Sequence, residues 1–382
     1  MMKAKNFLVI VFSFLFVLLF VFVTLFMIHV KRTDSIVLKD DLSCQFREKV
    51  YTDDFIADIN GEVLSKNLVD TSSIGKKRVL IQFKNRYGFV ENKYFYVNVK
   101  DSVAPIINID DVYEVNVGEI NNLIDNIFCA DNYDDGVSCV IEGNYDLNTV
   151  GDYPLKIFAK DKSGNESKKE FVLRVKNKDV DTSSRKDIDF KDFYNKYKND
   201  NTEIGISVSD VNGEVDYSEL VDKGVSFVMI RVGSQNEIGG SISKDVSFDV
   251  NVKKALENGL NVGLYFSSNA SSENEARKQA KWVVQNIRSY DLGLPVMFDW
   301  NNWEYYSRFK IGFRSLNDIA LSFVKEINRS GYDAGIYSSY YYLENVWYGE
   351  EYKYIWKDSS SNGNFFMWGI DGFNVLNNSW AK

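Results

Sequence analysis

The stretch that decides the fold reads Leu294-Pro295-Val296-Met297-Phe298-Asp299-Trp300-Asn301-Asn302-Trp303-Glu304. A proline opens it, a short apolar run follows, and the run closes on an aspartate with aromatic and amide side chains behind it. This pattern predicts a buried strand that ends in a polar loop. Because barrel enzymes keep their chemistry at that end of their strands, Asp299 and the loop after it form the candidate site.

Strand and helix patterns alternate on both sides of this stretch, from residue 204 towards the C-terminus. Strands are predicted at residues 204–208, 227–232, 261–266, 295–299, 333–337, 354–356 and 365–370. Helices are predicted at residues 218–223, 247–258, 272–290 and 314–330, with a turn near 341–346. Strands that alternate with helices form a parallel sheet with helical crossovers, so residues 200–382 are predicted to form a TIM-like (β/α) barrel.

The N-terminal part of the chain contains an apolar segment, residues 7–30, with no charge in 24 residues. Since roughly 20 apolar residues cross a bilayer, it predicts a transmembrane helix. It ends Met27-Ile28-His29-Val30-Lys31-Arg32 without the small residues of a cleavage site, which favours an uncleaved signal anchor. We therefore expect a single-pass cell-membrane protein, with residues 1–6 cytoplasmic and the C-terminal domains extracellular.

Residues 33–177 contain an internal repeat at a constant offset of 76 residues. The matched pairs include Gly75 with Gly151, Ile81 with Ile157, Gly88 with Gly164, Phe95 with Phe171 and Val99 with Val175. Alternating strands broken by glycine turns predict one small β-sandwich per copy, at residues 33–101 and 102–177. The second copy resembles the immunoglobulin-like modules of bacterial surface proteins, which implies a spacer or stalk more than a specific binder. Residues 178–199 are polar and are predicted to be a linker, with a short helix near 190–200.

Composition and charge limit the possible functions. The single histidine, His29, lies inside the apolar segment, so the rest of the chain has no imidazole. This excludes Ser-His-Asp hydrolases, Cys-His peptidases and His-ligated zinc amidases. The net charge is −9, and because Lys3 and Lys5 are the only charges before residue 31, residues 31–382 carry −11. A nucleic-acid partner is therefore not expected, and no cofactor is predicted.

The chain has three cysteines, Cys44, Cys129 and Cys139, too few for a zinc site of four thiolates. Outside the cell Cys129 and Cys139 could pair, or they could remain buried free thiols. The run Asp131-Asn132-Tyr133-Asp134-Asp135-Gly136 clusters oxygen atoms of the kind that calcium prefers. It lacks a bidentate glutamate at the right distance, so a solvated turn is favoured and no metal site is assigned.

From residue 204 the chain resembles the family 25 glycoside hydrolases, lysozyme-like bacterial and phage muramidases that cut the glycan chain of peptidoglycan. The landmarks are Gly205-Ile206-Ser207-Val208-Ser209, Gly259-Leu260-Asn261-Val262-Gly263-Leu264-Tyr265-Phe266, the strand ending at Asp299, Gly331-Tyr332-Asp333-Ala334-Gly335-Ile336-Tyr337 and Met367-Trp368. Their order and spacing carry the resemblance, since no single landmark is specific.

The resemblance also marks where this chain departs from the family. The family's Asp-x-Glu strand corresponds to Asp299, which is retained, and to Asn301, which stands where the family has its general acid. The aspartate of the family's first strand corresponds to Ser207. A further family aspartate near the C-terminus corresponds to Asp371, one position out of register. Because an asparagine side chain cannot protonate a leaving oxygen, these exchanges imply that the family reaction is lost.

The favoured hypothesis is a pseudoenzyme that binds or organises peptidoglycan or another cell-wall glycan. One alternative is an active lysozyme that uses a displaced acid, Glu304 or Asp210. Another is a structural or assembly protein whose barrel binds a protein partner. For sugar binding the predicted mouth offers aromatic rings beside Asn301, namely Trp300, Trp303, Tyr337, Trp356 and Trp368.

Overall fold

The computed structural model describes residues 2–32, 36–178, 188–235, 239–300, 311–358 and 365–378. The chain divides into two compact units, Met1–Ser102 and Val103–Lys382. The predicted domain boundaries after residue 101 and at residues 178–199 stay predictions.

The first unit begins with a long apolar helix, α1 (Met2–Arg32). Within it, Val11–Ile28 has a mean hydropathy of 3.0 and is exposed throughout. The helix is therefore long and apolar enough to serve as a membrane anchor or signal. The predicted orientation across the membrane stays a prediction.

The rest of the first unit is a β module with a small core. Its strands are β1 (Ile36–Leu38), β2 (Ser43–Gln45), β3 (Ile56–Ile59), β4 (Gly61–Val63), β5 (Gly75–Asn85) and β6 (Val90–Lys100), with a 3₁₀ helix at Thr52–Phe55. One sheet has the order β2-β6-β5-β4, and β1 pairs with β3. Alternate residues of β5 and β6 are buried, as expected for a sheet with one solvated face.

The second unit opens with a β module of the same strand order. Its strands are β7 (Ile106–Asn108), β8 (Val112–Asn116), β9 (Phe128–Ala130), β10 (Ser138–Glu142), β11 (Gly151–Lys160) and β12 (Glu166–Lys176), with a 3₁₀ helix at Leu123–Asn126. The order β10-β11-β12-β8 matches β4-β5-β6-β2 of the first module, and in both modules the outer strand beside the second long strand is parallel to it. The long strands β5 and β11, and likewise β6 and β12, begin 76 residues apart.

The barrel-like domain occupies the remainder of the second unit. Its strands are β13 (Thr202–Val208), β14 (Phe227–Ser234), β15 (Ser243–Lys244), β16 (Asn261–Ser268), β17 (Val296–Trp300), β18 (Ala334–Ser339), β19 (Tyr354–Asp358), β20 (Met367–Ile370) and β21 (Phe373–Asn377). Its described helices are α2 (Phe190–Tyr197), α3 (Tyr217–Asp222), α4 (Phe248–Glu257), α5 (Glu273–Ile287), α6 (Phe313–Arg329) and α7 (Tyr340–Asn345), with 3₁₀ helices at Asp210–Asn212 and Gly349–Glu351.

Pairing of β13 with both β14 and β21 closes the sheet on itself, through the order β13-β21-β20-β19-β18-β17-β16-β14. The expectation of a wholly parallel sheet is wrong at two strands, because β15 is antiparallel to β14 and β21 is antiparallel to both of its neighbours. For β21 the reason is local: only Asp371 and Gly372 join β20 to β21, whereas a parallel connection needs a dozen or more residues. Neither β15 nor β21 was predicted from the sequence.

Side chains on the barrel strands alternate between the ring's interior and the layer of helices. On β17, Met297 belongs to the interior cluster, while Val296, Phe298 and Trp300 belong to the cluster shared with the helices. Asp299, between Phe298 and Trp300, therefore faces the interior. The strand therefore carries the aspartate inwards at its carboxyl end.

Candidate active site

Asp299 is buried at the carboxyl end of β17, with 4% of its surface exposed. The Ser267 hydroxyl donates a hydrogen bond to Oδ2 over 3.0 Å. Burial raises the pKa of Asp299 to about 7, a rise that Ser267 and Arg231 oppose and that Asp358 reinforces. The carboxyl group can therefore donate or accept a proton near neutral pH.

Three aromatic side chains line the ring's interior beside Asp299. Tyr265 pairs in register with Met297, and Tyr337 pairs with Asp299 itself. The Trp356 ring lies 4.4 Å from the Tyr337 ring and 5.8 Å from the Tyr265 ring, between centroids. Burial raises the pKa of Tyr265 to about 12 and raises that of Tyr337 further, so both remain phenols at neutral pH and can donate hydrogen bonds.

A cationic side chain with two carboxylate partners completes one side of the site. Arg231 donates from Nε to Asp245 over 2.9 Å and from Nη2 to Asp210. Burial acts to lower the pKa of Arg231, but the hydrogen bond and charge of Asp245 outweigh it and the pKa is raised. Asp210, one candidate for a displaced acid, is therefore engaged as the acceptor of an ion pair.

A second acid, Asp358, stands at the end of β19 and escaped the sequence analysis. It pairs in register with Ser339, two residues beyond the pairing of Tyr337 with Trp356. Its charge raises the pKa of Asp299, and a hydrogen bond from Tyr337 reaches it. Strand alternation could have found it, since Asp358 follows Trp356 by two residues, but the strand was predicted to stop at Trp356.

Ser207 and Asp371, the two other positions of family aspartates, meet at the β20–β21 hairpin. The Ser207 amide donates to the Gly372 carbonyl over 2.8 Å, and its hydroxyl donates to the same oxygen over 3.4 Å. Asp371 has a φ of 49° and Gly372 a φ of 83°, the left-handed conformations of a two-residue turn. Asp371 thus occupies a turn, and Ser207 supports that turn's backbone.

The predicted aromatic platform is only partly assembled. Tyr337 and Trp356 line the interior, and the Trp356 indole donates to Asn374 Oδ1 over 2.9 Å. Trp300 is 1% exposed beneath the helices and donates to the Ala270 carbonyl over 3.2 Å. Trp368 packs on Tyr197 of α2, with 4.6 Å between ring centroids. The alternation of the strands turns Trp300 and Trp368 away from the interior, so neither offers a face to a sugar there.

The candidates in the loop after β17 lie outside the residues that the structure describes. They are Asn301, Trp303 and Glu304.

A group of buried carboxylates lies in the second β module, apart from Asp299. The carboxylates of Asp131, Asp134 and Asp161 place one oxygen each within 4.8 Å of the others, a spacing that could hold a metal ion. Asp131 Oδ1 accepts from the Asp134 amide, and Asp134 Oδ2 accepts from Ser163, over 2.7 and 2.8 Å. The expectation of a solvated turn is wrong for Asp131 and Asp134, which are buried. Close by, Cys129 and Cys139 form a disulfide.

A cavity of about 390 Å³ lies at the opposite end of the barrel, where the strands begin. Leu294, Asp333 and Tyr354 are among its lining residues. Because barrel enzymes act at the carboxyl ends of their strands, we place the candidate site at Asp299 and not in this cavity.

Comparison with known families identifies the domain around Asp299. Residues 206–358 match the model of glycosyl hydrolases family 25, which confirms the resemblance predicted from the sequence. The match covers the strands that carry Ser207, Asp299, Tyr337 and Asp358. It stops before the β20–β21 hairpin.

Solved lysozyme and muramidase structures also match this chain. The modular autolysin LytC from Streptococcus pneumoniae, solved in complex with a synthetic peptidoglycan ligand, is 19% identical over 58% of this chain and 56% of its own, with a TM-score of 0.39. A muramidase from Trichobolus zukalii is 20% identical over 46% of this chain and 93% of its own, with a TM-score of 0.38. A family GH25 lysozyme from Aspergillus fumigatus is 18% identical over 46% of this chain and 94% of its own, also with a TM-score of 0.38.

The chain thus spans little more than half the length of the pneumococcal autolysin. No curated protein matches the sequence.

Proposed function

We propose that this protein is anchored in the membrane by α1 and binds peptidoglycan or a related cell-wall glycan at the interior of its barrel. The observation that carries the proposal is the group of Asp299, Tyr265 and Tyr337 at the carboxyl ends of the strands, with the two tyrosine rings packed on the buried Trp356. Aromatic faces stack on the apolar faces of sugars, while carboxyl and phenol groups hydrogen-bond sugar hydroxyls. The family match over residues 206–358 supports the glycan as ligand.

The finer assignments belong to the same proposal. They are two immunoglobulin-like modules at residues 33–101 and 102–177, a TIM-like barrel at 200–382, and an extracellular location for all three. The matched strand order of the two modules supports the first assignment. The closed ring of strands supports the second.

We further propose that the barrel is a poor muramidase by the family mechanism. Ser207 and Asn301 stand where the resemblance places an aspartate and the general acid, and neither side chain can protonate a glycosidic oxygen. Loss of a general acid typically lowers the rate roughly 10²–10⁴-fold. Asp299 alone provides a single carboxyl group, whereas glycoside cleavage uses two.

One observation favours a second candidate, an active hydrolase with a displaced acid. Asp358, exposed at the end of β19, adds to the rise in the pKa of Asp299 through its charge, so a second carboxyl group stands near the first, as glycosidases require. Tyr337 hydrogen-bonds Asp358 and pairs in register with Asp299, which places it between the two strands that carry the acids. In this version Asp358 supplies the missing carboxylate in place of Glu304.

The test uses the full chain in detergent micelles with purified, insoluble peptidoglycan. We expect the protein to sediment with the wall material and to release no reducing ends. Tyr337→Ala should weaken sedimentation roughly tenfold, as expected for loss of one stacked ring and its hydrogen bond. Tyr94→Ala, which removes an exposed ring of the first β module, is the matched control and should bind like the wild type.

The outcomes separate the candidates. Release of reducing ends that both Asp358→Asn and Asp299→Asn abolish would establish the hydrolase and reject the pseudoenzyme. If the protein neither sediments with the wall material nor cleaves it, glycan is rejected as the ligand. The barrel would then be a surface for a protein partner.

A further inference from the structure

A loop of the second β module meets the start of a barrel helix. Helix α6 begins after Gly312, which has no side chain with which to cap the helix's free amides. The Asp135 carboxylate takes that role from the other module: Oδ1 accepts from the Gly312 amide, and Oδ2 accepts from the Ser315 hydroxyl over 2.9 Å. The Phe313 amide donates to the Asp131 carbonyl over 2.8 Å.

Electrostatics favour the same contact. The aligned peptide dipoles of the 17-residue helix α6 place partial positive charge at its N-terminus, where a carboxylate is stabilising. Arg314 adds a cation–π contact, with its guanidinium 4.8 Å from the centroid of the Tyr133 ring. The loop therefore offers both the charge and the hydrogen-bond acceptors that the helix lacks.

Apolar packing surrounds this polar contact. Phe128, on β9 of the module, stacks on Phe313 and lies beside Tyr342 of α7, with ring centroids 6.1 and 6.2 Å apart. Phe128 and Ala130 are 7% and 1% exposed and belong to the same core cluster as the barrel helices. A further hydrogen bond, from the Tyr348 hydroxyl to the Asn132 carbonyl over 2.9 Å, ties the loop to the segment after α7.

The loop and the start of α6 lie so close together that the residue at position 312 must be small. A β-carbon at Gly312 would lie 2.7 Å from the Asp134 carbonyl oxygen, so the backbones meet where only glycine fits. The segments that the module touches follow β17 and β18, the strands that carry Asp299 and Tyr337.

We propose that residues 103–177 are an integral part of the barrel's folding unit, in which the Asp135 carboxylate accepts the hydrogen bonds at the start of α6. In this arrangement the module is not the detachable spacer that its resemblance to stalk modules implied. The inference concerns the assembly of the domain and holds whether or not the barrel binds glycan.

Hydrogen exchange measured by mass spectrometry on the full chain in detergent tests the cap. Asp135→Ala should speed exchange at least tenfold in peptides covering residues 312–318 and 128–135, and should leave β11 and β12 at wild-type protection. Asp110→Ala, which removes an exposed carboxylate of the same module, is the matched control and should change neither region. Asp135→Asn keeps a hydrogen-bond acceptor but loses the charge, so its exchange rates should lie between those of the wild type and Asp135→Ala. Wild-type protection of residues 312–318 in Asp135→Ala would overturn the assigned cap.

A second variant tests integration from the other side. Leu173 is fully buried in the module's own core, so Leu173→Ala should loosen the module. If module and barrel are one unit, protection in α6 should fall together with that in β11 and β12. Loss of protection confined to the module, with α6 unchanged, would show that the module detaches as a spacer does and would overturn the proposal.

Discussion

At the scale of single residues, the carboxyl group of Asp299 is buried away from water in the barrel interior, and its pKa affects the stability of the protein. Ordinary aspartates ionise near pH 3.8, whereas burial raises the pKa of Asp299 to about 7. Between those two values the folded protein keeps a proton that the unfolded chain releases. The contribution of Asp299 to the free energy of unfolding should therefore fall as pH rises from about 4 to about 7, and level off above.

Replacing Asp299 with asparagine should remove this dependence. One proton contributes at most about 1.4 kcal/mol per pH unit to the free energy of unfolding. The Tm of Asp299→Asn relative to wild type should therefore rise between pH 4 and pH 7, as measured by thermal unfolding in detergent across that range. Asp291→Asn, an exposed replacement just before β17, is the control. A constant difference in Tm would mean that the folded carboxyl group ionises as an exposed one does.

At the scale of elements, the β20–β21 hairpin closes the ring of strands. Its geometry bears on whether Asp371 acts as a turn residue or as an acid of the candidate site. Its φ of 49° and that of Gly372, 83°, fit a tight turn in which asparagine and glycine are favoured. The Gly372 carbonyl accepts from the Ser207 amide, so the turn also fixes the end of β13. Asp371 therefore acts as a turn residue of the hairpin that closes the ring.

Substitutions in the hairpin distinguish a turn role for Asp371 from a role as an acid of the site. Asp371→Asn should leave stability and glycan binding within about twofold of wild type, because asparagine adopts the same φ. Gly372→Ala should lower the free energy of unfolding by about 1 kcal/mol or more, since a β-carbon is strained at that φ. Denaturant unfolding and wall sedimentation measure the two effects. A large loss of binding in Asp371→Asn would instead assign this carboxylate to the site.

At the scale of the whole molecule, α1 carries an exposed apolar surface over Val11–Ile28. Burying such a surface in a bilayer is strongly favourable, so the full chain should remain in the membrane fraction after alkaline carbonate washing. A variant lacking residues 2–32 should become extractable.

Topology follows from the same helix. Protease added to intact cells stripped of their wall should digest the chain after about residue 32, because the long polar remainder is expected outside. Protection of residues 36–378 in intact cells, with digestion only after lysis, would reverse the proposed orientation.

The sequence by itself determined the features that local patterns encode. The apolar run of α1, the 76-residue repeat and the strand–helix alternation each follow from periodicity and turn chemistry. The family resemblance followed from landmarks in a fixed order, and it located Asp299 at the end of its strand. Which side of β17 Asp299 faces did not follow from the sequence, because an apolar run does not say which of its residues point inwards.

The tertiary structure decided what no local pattern carries. Whether Trp300 and Trp368 face the interior or the helices depends on strand register, and a single step reverses the side. Asp358 reaches Asp299 only because β19 and β17 flank β18 in the ring. The carboxylate that accepts the Gly312 amide at the start of α6 belongs to Asp135, 177 residues earlier in the chain. Contacts between such distant residues depend on how modules pack, and packing is decided by complementary surfaces that appear only once each module has folded.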